Sequence, residues 1–87
     1  LTEQGKSLLK EGKPDAAIRA LERAINLNPG NGENYYYLSE GWLQKGEVKQ
    51  AREFNHLAEI YLGEYLVWTV RIARQKERIK GLESRYR

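Results

Sequence analysis

A single histidine, three serines and no cysteine leave this 87-residue chain little with which to make or break bonds. His56 sits in a helical pattern with Arg52, Glu53 and Glu59 about one turn away, the surroundings of a solvated charged face. No second histidine or cysteine is present to build a metal site, and the missing thiols also exclude disulfides. Ser7, Ser39 and Ser84 have no base in a suggestive arrangement, and a serine without one is a poor nucleophile. Gly30-Asn31-Gly32 lacks the preceding strand and the lysine of a phosphate loop. The carboxylates are scattered singly. The expectation is therefore a protein that is not an enzyme, with no catalytic residue, cofactor or bound metal. The side chains left to carry function are those of a binding surface: Tyr35, Tyr36 and Tyr37, and a basic C-terminal segment.

That segment divides the chain electrically. The whole carries a formal charge of +3, but residues 1–70 sum to −2 and residues 71–87 to +5, through Arg71, Arg74, Lys76, Arg78, Lys80, Arg85 and Arg87. The same region has an apolar stripe at near-heptad spacing, Tyr65, Trp68, Ile72, Ile79, Leu82 and Tyr86, interrupted only by Gln75. No apolar run approaches membrane-spanning length and nothing at the start reads as a signal peptide. The absence of methionine, and a first residue that already falls inside a helix, lead us to expect a piece of a longer protein.

The elements that must hold these surfaces follow from a repeat. Leu9, Gly12, Ala17 and Ala24 recur as Leu43, Gly46, Ala51 and Ala58, an interval of 34 residues typical of stacked helical hairpins. Gly12 and Gly46 follow Lys10-Glu11 and Gln44-Lys45, where glycine stops a helix. Pro14 and Asp15 suit the first turn of the next helix, and residues 28–32, Asn-Pro-Gly-Asn-Gly, are turn chemistry. Helices are predicted at about 1–11, 14–27, 33–45, 48–61 and 64–84. The fold class is all-α, antiparallel hairpins stacked as a short solenoid.

The residues at these spacings resemble the tetratricopeptide repeat, whose pattern is an aromatic, a Leu-Gly pair, a Tyr, then Ala, Phe and Pro. The first copy runs Leu1, Gln4-Gly5, Leu8, Gly12, Ala17, Leu21, Ala24 and Pro29. The second runs Tyr35, Leu38-Ser39, Trp42, Gly46, Ala51, Asn55 and Ala58, with Gly63 in place of the closing proline. Asn55 also departs, standing where the motif has a large apolar side chain. The resemblance covers residues 1–63 as two hairpins, 1–31 and 32–63, and implies that 64–87 is a basic amphipathic capping helix and that the solenoid is right-handed.

What the resemblance implies about function is a protein-interaction module that takes a peptide segment of a partner into a concave groove lined by the first helix of each hairpin. Carried over residue by residue, the groove comprises Glu3, Lys6 and Lys10, then Glu33, Tyr36, Tyr37, Glu40 and Gln44, then Val67, Val70, Arg71, Arg74 and Arg78. Aromatic rings beside guanidinium groups suit a segment bearing acidic and aromatic side chains. The alternative for Tyr36 and Tyr37 is that they belong to the core. Members of the family that clamp chaperone C-terminal carboxylates use a lysine, two asparagines, a lysine and an arginine. Thr2, Lys6, Tyr37, Val67 and Arg71 stand at those places, and only Arg71 fits.

The same residues support two other readings. A helix of about 20 residues is about 30 Å long against about 20 Å for one of 13, so the last turns should overhang the array. Ile79, Leu82 and Tyr86 would then be free to join two copies into a dimer. Contact with nucleic acid or an anionic membrane through Arg71, Arg74, Arg78 and Arg85, which share a helix face, is disfavoured, since basic helices are more often solvated or partner-facing.

Overall fold

A computed structural model describes residues 1–85, which form five helices joined by short turns: α1 (Thr2–Lys10), α2 (Pro14–Leu27), α3 (Gly32–Gln44), α4 (Val48–Leu62) and α5 (Leu66–Arg85). No strand occurs among the described residues. Each helix packs on the next, and α3 also touches α1 and α5.

The two hairpin turns are built alike. Gly12 and Gly46 adopt φ of 72° and 75°, a region that costs any residue with a β-carbon. Beyond each glycine the chain bonds back onto its helix, Lys13 N–H to Leu8 O at 2.9 Å and Glu47 N–H to Trp42 O at 2.9 Å. These are the bonds of a left-handed helix stop. Pro14 then opens α2, and the Asp15 carboxylate meets Lys45 Nζ at 2.7 Å, which ties the first inter-helix turn to the end of α3.

Small residues bring the helix axes together. Ala17, Ala20, Ala51 and Ala58 are fully buried, and a β-carbon on Gly5 would lie 2.6 Å from Leu21 Cγ. In the second hairpin Ser39 occupies the equivalent contact, and its hydroxyl donates to Ala51 O at 2.7 Å. Leu21, Leu38 and Ile72 fill the centre, each burial contributing about 1.5–3 kcal/mol. Between the hairpins, Asn31 caps α3 by accepting from Glu33 N–H, and the Tyr35 hydroxyl donates to Pro29 O at 2.9 Å.

Helix α5 lies along α4 with Ile72, Gln75 and Ile79 inward. Gln75, the interruption in its apolar stripe, is fully buried and meets Asn55, the departure in the repeat pattern: Asn55 Nδ2 donates to Gln75 Oε1 at 2.9 Å and to Ile72 O at 3.0 Å. Gln75 Nε2 in turn donates to Tyr36 O and Glu40 Oε2. Among the described residues no buried side-chain amide is left without a partner.

The expected overhang is corrected. Ile79 is 1% exposed and packs with Leu43 and Ala51, with Leu82 half-buried beside them. From Leu66 to Ile79 α5 advances about 20 Å, the length of α4 from Leu62 back to Val48, so Ile79 still lies over a helix. Glu83 is held too, by Arg52 at 2.9 Å. Tyr86 lies outside the described residues. Tyr65 also leaves the expected stripe, because it precedes the first turn of α5 and is exposed.

Candidate functional site

Helices α1, α3 and α5 converge on a hollow of about 440 Å³ lined by Lys6, Leu9 and Lys10, by Tyr36, Tyr37, Glu40 and Gln44, and by Arg71. Of the thirteen residues expected of the groove, seven line the hollow, Lys6, Lys10, Tyr36, Tyr37, Glu40, Gln44 and Arg71, and Glu3 does not. Arg78 joins through Glu40. Arg74 does not: it is exposed and forms no ion pair among the described residues. Glu33, Val67 and Val70, carried over from the repeat register, also lie outside the hollow's lining.

The two tyrosines are shared between the core and the hollow. Tyr36 and Tyr37 are 6% and 8% exposed and belong to the core cluster, yet their rings form the floor of the hollow. They meet edge to face, and each also meets Trp68 edge to face, at 5.2 and 6.2 Å between centroids. The Arg71 guanidinium lies on this aromatic group, 4.5 Å from the Trp68 centroid, 5.0 Å from Tyr36 and 5.9 Å from Tyr37. Lys6 Nζ approaches the Tyr37 ring at 5.3 Å. Such contacts hold a cation in place without neutralising it.

The charges of the hollow are unequally satisfied. Glu40 is gripped by Arg78 in a two-pronged ion pair, at 3.1 and 2.9 Å, and accepts from Gln75. That carboxylate holds the Arg78 guanidinium above its ordinary range, against the opposing effect of burial. Arg71 has no carboxylate partner among the described residues; its only side-chain hydrogen bond is to the Tyr37 hydroxyl at 3.4 Å. Lys6 is raised by its bond to Glu3, a largely solvated residue. Burial pushes the Tyr36 phenol up, with Glu40 adding to the effect and Arg71 opposing it. Gln44 is occupied structurally, its Nε2 donating to Leu9 O at 2.9 Å.

Two contributors to the site lie outside the expected groove: Leu9 in the lining of the hollow and Trp68 beneath Arg71. Leu9 enters because α1 and α3 touch, and Trp68 because the first turns of α5 lean toward α3 as well as α4. Trp68 belongs to the expected capping stripe, and no spacing signal separates a covering tryptophan from one that also supports an arginine.

Elsewhere, His56 is exposed beside Glu59, Ser39 is spent on packing, and Ser84 bonds Lys80 O in its own helix. Among the described residues no group of three His, Cys, Asp or Glu is placed to hold a metal ion, and no helix is long and apolar enough to cross a membrane.

No curated protein and no solved structure matches this chain. A family model described as tetratricopeptide repeat matches residues 8–62. That match spans more than half of the chain, from the last turn of α1 through α4, and the chain belongs to the tetratricopeptide repeat family.

Proposed function

We propose that the α1–α3–α5 hollow binds a segment of a partner protein that carries acidic and aromatic side chains. Tetratricopeptide repeats generally mediate protein–protein interaction, and the choice of this face rests on one observation. Arg71 is fixed on Tyr36, Tyr37 and Trp68 with no carboxylate to neutralise it, while the nearby Glu40 is already matched by Arg78. A guanidinium held in one orientation loses little freedom when a carboxylate arrives, so binding retains more of the interaction energy. Lys6 and Lys10 on the facing wall extend the positive field, and Leu9 with the tyrosine edges offers apolar contact.

Peptides selected from a displayed library against the immobilised domain should be enriched in Asp, Glu and aromatic residues. Titrated into labelled protein, a selected peptide should shift the amide resonances of Lys6, Leu9, Tyr37, Gln44 and Arg71. Shifts confined to residues 60–70 would place binding on another face and contradict the proposal.

A further inference from the structure

The large apolar side chains left exposed are concentrated. Ile60, Tyr61, Tyr65, Leu66, Val67 and Val70 fall within one short stretch at the α4–α5 corner, and Leu66 and Val67 are 78% and 70% exposed. Because α5 turns Ile72, Gln75 and Ile79 inward, Leu66, Val67 and Val70 lie on its opposite side, where no other helix of the chain covers them. A patch of this kind marks an interaction surface.

The charge around it is polarised. From Glu53 to Val70 the chain has no Lys or Arg, and Glu64 stands at the start of the patch. Arg74 stands one turn beyond Val70, exposed and without an ion pair among the described residues. An apolar strip with an acid at one end and a base at the other is complementary to itself when turned end for end. A two-fold contact requires that self-complementarity, since the same patch serves both copies.

We propose that this face joins two copies of the chain, α5 against α5 and antiparallel, about a two-fold axis between Val67 and Val70. Each Val67 then meets Val70 of the second copy, and each Glu64 comes beside Ala73 and Arg74 of the second copy. Parallel pairing would instead set Glu64 against Glu64 and Arg74 against Arg74. A lipid surface fits less well, because Glu64 at the start of the patch opposes anionic headgroups. The interface differs from the overhanging seam expected of Ile79, Leu82 and Tyr86, and it gives Arg74 a role that the hollow does not.

Sedimentation equilibrium of the 10.1 kDa chain at about 100 μM, well above a micromolar Kd, should report twice the monomer mass. Val70→Lys should return the monomer mass with unchanged far-ultraviolet circular dichroism. Glu64→Lys and Arg74→Glu should each raise the dimer Kd several-fold, about what two exposed ion pairs supply. The double variant, in which the charges are exchanged, should recover most of that loss. A monomeric wild-type chain at this concentration overturns the proposal, and co-sedimentation of that monomer with phosphatidylcholine–phosphatidylglycerol vesicles would assign the patch to lipid instead. A dimer that survives Val70→Lys, or a double variant no tighter than the singles, contradicts the antiparallel register.

Discussion

The side-chain amides of Asn55 on α4 and Gln75 on α5 meet at 2.9 Å in the interior, at the one level where both helices lack the apolar residue their patterns call for. Each polar substitution satisfies the other. Gln75 also reaches Tyr36 O and Glu40, so the pair fixes the position of α5 along α4 and connects that position to the hollow.

Removing one partner should therefore cost more than removing both. Asn55→Leu leaves Gln75 Oε1 buried without a donor, a loss of about 1–3 kcal/mol, whereas the double variant Asn55→Leu, Gln75→Leu should be close to neutral. Chemical denaturation of the two singles and the double, arranged as a cycle, measures the coupling. Additive losses would mean that the amides do not act as a pair.

Close packing makes a second expectation, which depends on local space. Gly5→Ala sets a β-carbon 2.6 Å from Leu21 Cγ and should destabilise by about 1–3 kcal/mol. Gly81→Ala, on α5 with nothing within 4 Å, should stabilise by up to about 1 kcal/mol. Thermal melts of the two variants should move in opposite directions.

Much of this architecture was legible because repeats constrain small residues tightly. Gly12, Gly46, Pro14 and the buried alanines announce turns and contacts through backbone needs that few other residues meet, and four of the five helices lie within one residue of the expected limits. The end of the chain was less legible. The start of α5 fell at Leu66 and not 64, since Gly63 and Tyr65 form a turn closed by the Thr69 hydroxyl on Gly63 O and Tyr65 O. That shift, with the full length of α4, carries Ile79 onto a helix. At the site, the register located the tyrosines and Arg71, but the support of Arg71 by Trp68 depends on the tilt of α5, which periodicity does not encode.

Deleting residues 64–87 should abolish cooperative melting. Ile72 and Gln75 would be lost from above Asn55, Ala58, Leu62 and Tyr36, leaving the second hairpin with an uncovered apolar face. Circular dichroism of the shortened chain checks this, and a sharp transition at the parent temperature would show that α5 is dispensable for folding.

Stability should fall at both extremes of pH for separate reasons. The hydrogen bond and charge of Lys45 lower the Asp15 carboxyl below its ordinary value of 3.8, so its contribution is present above that value and is lost as pH falls through the lower, folded value. The pair is solvated, and its effect should be small and weakened by salt. Tyr35 and Tyr36 are raised above 10.0 by burial, so stability is retained below that pH and lost as pH rises through the higher, folded values. Denaturant midpoints between about pH 9 and 12 should decline in the parent and decline less in Tyr36→Phe.

In the proposed mode of recognition, Arg71 is the residue on which binding turns. Isothermal titration of a selected acidic–aromatic peptide into the parent protein, Arg71→Glu and Arg85→Glu tests this directly. Arg71→Glu should weaken binding by at least about tenfold, equivalent to about 1.4 kcal/mol, with the helical spectrum unchanged, and Arg85→Glu should bind as the parent does. Equal affinities for the parent and Arg71→Glu would contradict recognition in the α1–α3–α5 hollow.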